Sequence, residues 1–171
     1  MTAQIEHKTT NIKRNTLKGF TLIELLVVIG ILAILLAITL IAINPARQFG
    51  QANDTKRRSD ATALLNAIGQ YAASNAGNLP GEVTTASTSA TEINSTNFPN
   101  LCAAIMPTYI SALPVDPSIT TNTAPNGPSG ITSCSTTPWD TGYQLSKDAN
   151  NRITIWANNA YSGTGTISVT R

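Results

Sequence analysis

The chain has 171 residues and a formal net charge of +2, with only 12% charged and 5% aromatic residues. That length holds one modest domain plus an extension, and so few aromatics exclude a large aromatic core. Residues 1–19 carry Lys8, Lys13, Arg14 and Lys18 against Glu6, while the remainder is close to neutral and has no strong nucleic-acid footprint.

Residues 1–18 are polar and basic, and the run from Leu25 to Ile43 carries no charge and is mostly Leu, Ile, Val and Ala. At about 1.5 Å per residue this run spans the roughly 30 Å hydrocarbon core of a bilayer. It exceeds the roughly 7–15-residue apolar part of a secretory signal. The bland alternative is a buried helix of a soluble protein, but the rest of the chain has too little apolar surface to bury it on all sides. Four basic residues precede the span, and Arg47, Lys56, Arg57 and Arg58 follow it, so the positive-inside rule leaves orientation open.

Asn44-Pro45 is expected to bend or interrupt the helix. A helical pattern then resumes, with Ala61, Leu64, Leu65, Ile68, Tyr71 and Ala72 in one apolar stripe and Lys56 one turn from Asp60 on the polar side. Asn75 to Gly81, with Gly77 and Pro80, is a stop signal. The pattern predicts one long helix from about Phe20 to Ala76, its segment 20–43 suited to lipid and its segment 44–76 to a protein partner.

Residues 77–171 read as a loop-rich head. Half of residues 82–97 are Ser or Thr, which predicts a surface loop. Phe98 to Met106 is expected to form a short helix carrying Cys102, and Leu113 to Pro138 a Pro/Asn/Gly/Thr-rich connection. Alternation at Tyr143–Ser146 and Arg152–Trp156 around Asp148–Asn151 predicts a hairpin, and Thr166–Thr170 a third strand. The expected fold is α+β: a long N-terminal helix, transmembrane then amphipathic, packed on a small antiparallel sheet. For Cys102 and Cys134 two readings stand: a disulfide if the head lies outside the cytoplasm, reduced structural cysteines if it lies inside.

Lys18-Gly19-Phe20-Thr21-Leu22-Ile23-Glu24-Leu25-Leu26-Val27-Val28 closely resembles the processing site of type IV prepilins and type II secretion pseudopilins. It joins a basic leader, a glycine, an aromatic residue and a carboxylate to an apolar span. The resemblance continues through Arg57-Arg58-Ser59-Asp60, Tyr71 and Gly77-Asn78-Leu79-Pro80, and faintly through Leu113-Pro114-Val115-Asp116-Pro117 and the hairpin. Two features depart from the pattern: a long leader, and a helix-breaking Pro45 one turn late.

The resemblance implies a leader at residues 1–19, cut by a prepilin peptidase between Gly19 and Phe20, and methylation of the Phe20 amine. It implies a single-pass precursor in the inner membrane with its head external, assembled with copies of itself or other pilins by a platform and ATPase. With the head external, Cys102 and Cys134 are expected to pair, stapling a loop of about thirty residues by a few kcal/mol. Glycine before the cut lets the chain lie extended in a protease. Glu24 near the edge of the span is costly unless paired, and in the family picture it meets a neighbour's N-terminus. Spacing alone suits equally a glutamate favoured by the helix dipole and snorkelling to water. Along Leu25 to Ile43, Gly30, Ala33 and Ala37 are small enough for close helix packing, though small residues are common in any membrane helix. Lys56, Arg57 and Arg58 read as a solvated face, a partner for acidic neighbours, or a contact for lipid headgroups.

A tethered enzyme is the opposed reading. There is no nucleophile elbow, no histidine after His7, and no phosphate-binding glycine loop. The carboxylates Glu82, Glu92, Asp116, Asp140 and Asp148 lack a recognisable spacing. Asp116, Asp140 and Asp148 are candidates for a calcium ion, as in some pseudopilin heads, and no other cofactor is expected. A membrane-anchored adhesion module, with specificity in loops 82–97 and 118–138, is the alternative function.

Overall fold

The computed structural model describes residues 19–119, 126–127, 130–135, 138–161 and 165–171, so the basic leader up to residue 18 and parts of the 118–138 connection lie outside the described residues. The chain divides into two compact units on either side of the Ile43–Asn44 bond.

The first unit contains helix α1, Leu22–Ile43. Its 22 residues extend about 33 Å at ~1.5 Å each. Leu, Ile and Val surround the axis, and none of its side chains is buried.

The second unit opens with helix α2, Pro45–Ser74. The long helix expected over 20–76, with a bend or interruption at Asn44-Pro45, is thus two helices that part at that point. Asn44 stands in the left-handed region (φ 48°) and its side chain accepts from Arg47 N as the cap of α2. Pro45 occupies the first helical position, where its missing N–H is no loss, but it cannot continue a helix arriving from Ile43. At the other end the backbone turns at Ala76 (φ 55°) and Gly77 (φ 85°), and Gly77 N closes on Ala72 O at 2.8 Å.

Two short helices follow, α3 (Gly81–Thr84) and α4 (Leu101–Ile105), with strand β1 (Thr91–Asn94) between them. Then come β2 (Asn126–Gly127), β3 (Gly130–Ile131), β4 (Asp140–Lys147), β5 (Ile153–Ala157) and β6 (Ile167–Thr170). The main sheet is antiparallel in the order β1-β4-β5-β6, and β2 and β3 form a separate pair. The expected hairpin is β4–β5, in register from Tyr143↔Ala157 to Lys147↔Ile153, and the expected third strand is β6. Its turn is organised by Asp148, whose Oδ1 accepts from the backbone N–H groups of Asn150 and Arg152.

Segment 82–97 was expected to be loop throughout, and α3 and β1 correct that. Thr91-Glu-Ile-Asn94 has a single apolar residue, so nothing local announces a strand. Pairing decides it: Thr91 lies opposite Leu145, Ile93 is fully buried, and the Thr141 hydroxyl donates to Ile93 O at 2.8 Å.

The core lies between α2 and the sheet. Ala61, Leu64, Leu65 and Ile68 join Tyr143, Leu145, Ile153, Ile155, Ala157 and Ile167 in one cluster, sealed by Leu101 and Ile105 of α4. Tyr71, expected on the same stripe, packs at its border edge-to-face with Tyr109.

Further toward its N-terminus, α2 is covered by the segment after β5. The Tyr161 ring lies against the helix backbone at Gly50, where a Cβ would fall 2.1 Å from Tyr161 Cγ. Gly50→Ala therefore forces the ring and its backbone away. Overpacking of this kind costs about 1–3 kcal/mol, against about 1 kcal/mol gained in helix propensity. The expected outcome is a net lowering of the unfolding midpoint in urea. A raised midpoint would mean that Tyr161 yields without cost.

Candidate processing and assembly site

Gly19 and Phe20 lie just before α1, both exposed, Phe20 at 86%. A Cβ at Gly19 would meet nothing, so this chain itself places no steric demand for glycine there.

The first turn of α1 is closed by a reciprocal pair. Thr21 N and Thr21 Oγ1 each donate to Glu24 Oε2 at 2.8 Å, while Glu24 N donates to Thr21 Oγ1 at 3.3 Å. This is a capping box: two backbone donors that a helix start leaves orphaned are satisfied by the side chains three residues apart. Thr21 was not singled out from sequence, although Thr-x-x-Glu before an apolar run is its recognisable signature. The box sets where the helix begins, and so leaves Gly19 and Phe20 outside it.

Beyond Glu24, from Leu25 to Ile43, the side chains of α1 are exposed. Gly30, Ala33 and Ala37 fall on one side of α1 by helical spacing, and a Cβ at Gly30 would meet nothing. Among the described residues this is the one helix long and apolar enough to cross a membrane.

In the head, the basic run is not uniform. Arg57, read as part of an exposed basic face, is buried at 4% exposure. It holds Asp116 with two parallel bonds, Nε to Oδ2 at 2.8 Å and Nη2 to Oδ1 at 3.1 Å, and reaches Asp54 Oδ1 with Nη1 at 3.0 Å. Asp116 Oδ1 also accepts from Ser118 N and Ser118 Oγ, and Asp54 Oδ1 from Tyr161 N at 3.0 Å. The guanidinium thus ties α2 to the Asp116 segment, and Asp54 ties it to Tyr161. Burial pushes the Asp116 carboxyl up, but the bonds from Arg57 and Ser118 outweigh it and hold it below its usual value. The bond to Asp116 raises Arg57 despite its burial. Alongside, Asp60 accepts from Lys56 Nζ and from the Tyr143 hydroxyl, and burial followed by that bond pushes the Tyr143 phenol up.

The other head carboxylates are likewise engaged in structure. Glu82 caps α4, accepting from Asn100 N and Leu101 N. Glu92 accepts from Asn94 Nδ2, Asp140 from Gly142 N, and Asp148 from Arg152 Nε. Among the described residues no three His, Cys, Asp or Glu side chains gather as a metal site, so Asp116, Asp140 and Asp148 form no such group. Cys102 and Cys134 are joined as a disulfide, linking α4 to the segment after β3.

The prokaryotic N-terminal methylation motif matches residues 14–40, the prepilin-type segment shared by type IV pilins and pseudopilins. No curated protein and no solved structure matches the chain significantly.

Proposed function

We propose that this chain is a structural subunit, a pilin or pseudopilin, of a type IV pilus-like filament. A prepilin peptidase removes residues 1–19, the amine of Phe20 is methylated, and the mature subunit is inserted by a separate platform and ATPase with its head outside the membrane. The observation that supports this most is the junction itself: an exposed Gly19-Phe20 pair next to a capped, 22-residue apolar helix with no buried side chain. Such a helix needs lipid before assembly and other helices afterwards.

Glu24 is the assembly residue in this reading. Its Oε2 serves Thr21, and its Oε1 makes no hydrogen bond among the described residues. Once inside a filament core, that carboxylate gains a partner in the amine of a neighbouring Phe20, which offsets its desolvation and sets the register between subunits.

Mass spectrometry of the N-terminus tests the reading. Material sheared from the cell surface is expected to start at N-methyl-Phe20, or, for a pseudopilin, the membrane fraction is. An intact Met1 in cells with a working prepilin peptidase defeats the proposal. Glu24→Gln is expected to leave the cut unchanged and to abolish recovery in the filament fraction.

A further inference from the structure

From Asn44 onward, Phe49 and Tyr161 are the two large hydrophobic side chains exposed among the described residues, at 70% and 49%. They are far apart in sequence, yet both lie at the same turn of α2. Tyr161 lies on Gly50, the residue after Phe49, with one ring face on the helix backbone and the rest of the ring open. The bond from Tyr161 N to Asp54 fixes that placement. Two exposed rings at one turn of α2 make a small apolar patch on the head.

Chain connectivity says which. Phe49 follows Ile43, the last residue of α1, by six residues. Even fully extended, six residues reach about 20 Å, and the helical part reaches much less. A bilayer's headgroup layer is about 5–8 Å deep on each side of its hydrocarbon. Chain connectivity thus keeps Phe49 within reach of the headgroup layer. In sequence Arg47 lies between Ile43 and Phe49, exposed, with no acidic partner among the described residues. An amphipathic phenol, a phenyl ring and a guanidinium are the side chains that settle at the water–lipid boundary, where rings meet the glycerol region and the cation meets phosphate.

We propose that Phe49, Tyr161 and Arg47 form a membrane-seating surface, by which the head of the unassembled subunit rests on the phospholipid headgroups instead of swinging on its tether. The inference rests on α1 crossing that membrane. Seating gives the waiting subunit a defined orientation, and leaving the membrane exposes both rings again.

The test uses the full-length chain in nanodiscs of phosphatidylcholine and phosphatidylglycerol, one chain per disc, with NMR cross-peaks read from the aromatic rings. Phe49 and Tyr161 are expected to show cross-peaks to lipid glycerol and upper acyl protons, while Tyr71 and Tyr109 show none. The variant F49S, which leaves the packing of Tyr161 on Gly50 in place, is expected to weaken the slow, disc-bound reorientation of the head. Rings that see only water, while the methyls of α1 see acyl chains, overturn the proposal and leave the membrane span intact. Rings that see no lipid, but see methyls of a second, differently labelled chain at higher occupancy, overturn it in favour of self-association. Absence of acyl contacts along α1 overturns both the span and the seating.

Discussion

Arg57→Ala is expected to destabilise the head by about 3–5 kcal/mol, the range for breaking a buried ion pair from one side. The loss comes less from the missing attraction than from what remains. Asp116, 1% exposed, keeps its charge or takes up a proton in a site built for a bidentate cation. Arg57→Lys retains charge but cannot make both parallel bonds, and should fall between wild type and alanine. Both tryptophans, Trp139 and Trp156, lie in the head, so their fluorescence in a urea titration follows the head alone. A loss under about 1 kcal/mol, the value of an exposed pair, would mean that water reaches Asp116.

The same pair predicts an acid limb. Because the folded pKa of Asp116 lies below its unfolded value, its contribution is complete above about pH 4 and disappears as pH falls through the lowered value. Arg57 is raised, so its contribution persists through neutral pH and is lost only in strong alkali. Asp148, lowered by the Arg152 backbone N–H and side chain, acts in the same acid direction from an exposed turn. Asp116→Asn should therefore be less stable at pH 7 and flatter as pH falls below about 4.

The second large effect is expected from the disulfide. Replacing both Cys102 and Cys134 by serine should cost about 3–4 kcal/mol by loop entropy, for a bridge closing a separation of 32 residues. The head has short strands and long connections, and the bridge anchors α4, which seals one side of the core. Unfolding with and without reductant checks this. Coincident curves would show that packing of Leu101 and Ile105 suffices without the bridge.

Arg57 shows how far local pattern carries. Read in a basic run, it resembled a solvated face. Read in helical phase, Gly50, Asp54, Arg57, Ala61, Leu64 and Ile68 recur at three and four, and all are buried. The signal was present, but it is visible only when a glycine and two charged residues are allowed to share a stripe with leucines. What no local reading supplies is the partner, because Asp116 is 59 residues away. Tyr161 on Gly50 is hidden for the same reason.

What the amino-acid sequence determined by itself is whatever depends on near neighbours along the chain. The apolar run of α1 follows from composition, the helix start from Thr21 and Glu24, the break from Asn44-Pro45, and the β4–β5 hairpin from alternation around Asp148–Asn151. Tertiary structure decided the rest. It made a strand of Thr91–Asn94, drew Arg57 into the interior, distributed five carboxylates to structural hydrogen bonds and ion pairs, and laid Tyr161 on Gly50. The division has one physical cause: propensity and periodicity act within a few residues, whereas strand pairing and the burial of charge depend on partners that only the folded chain brings together.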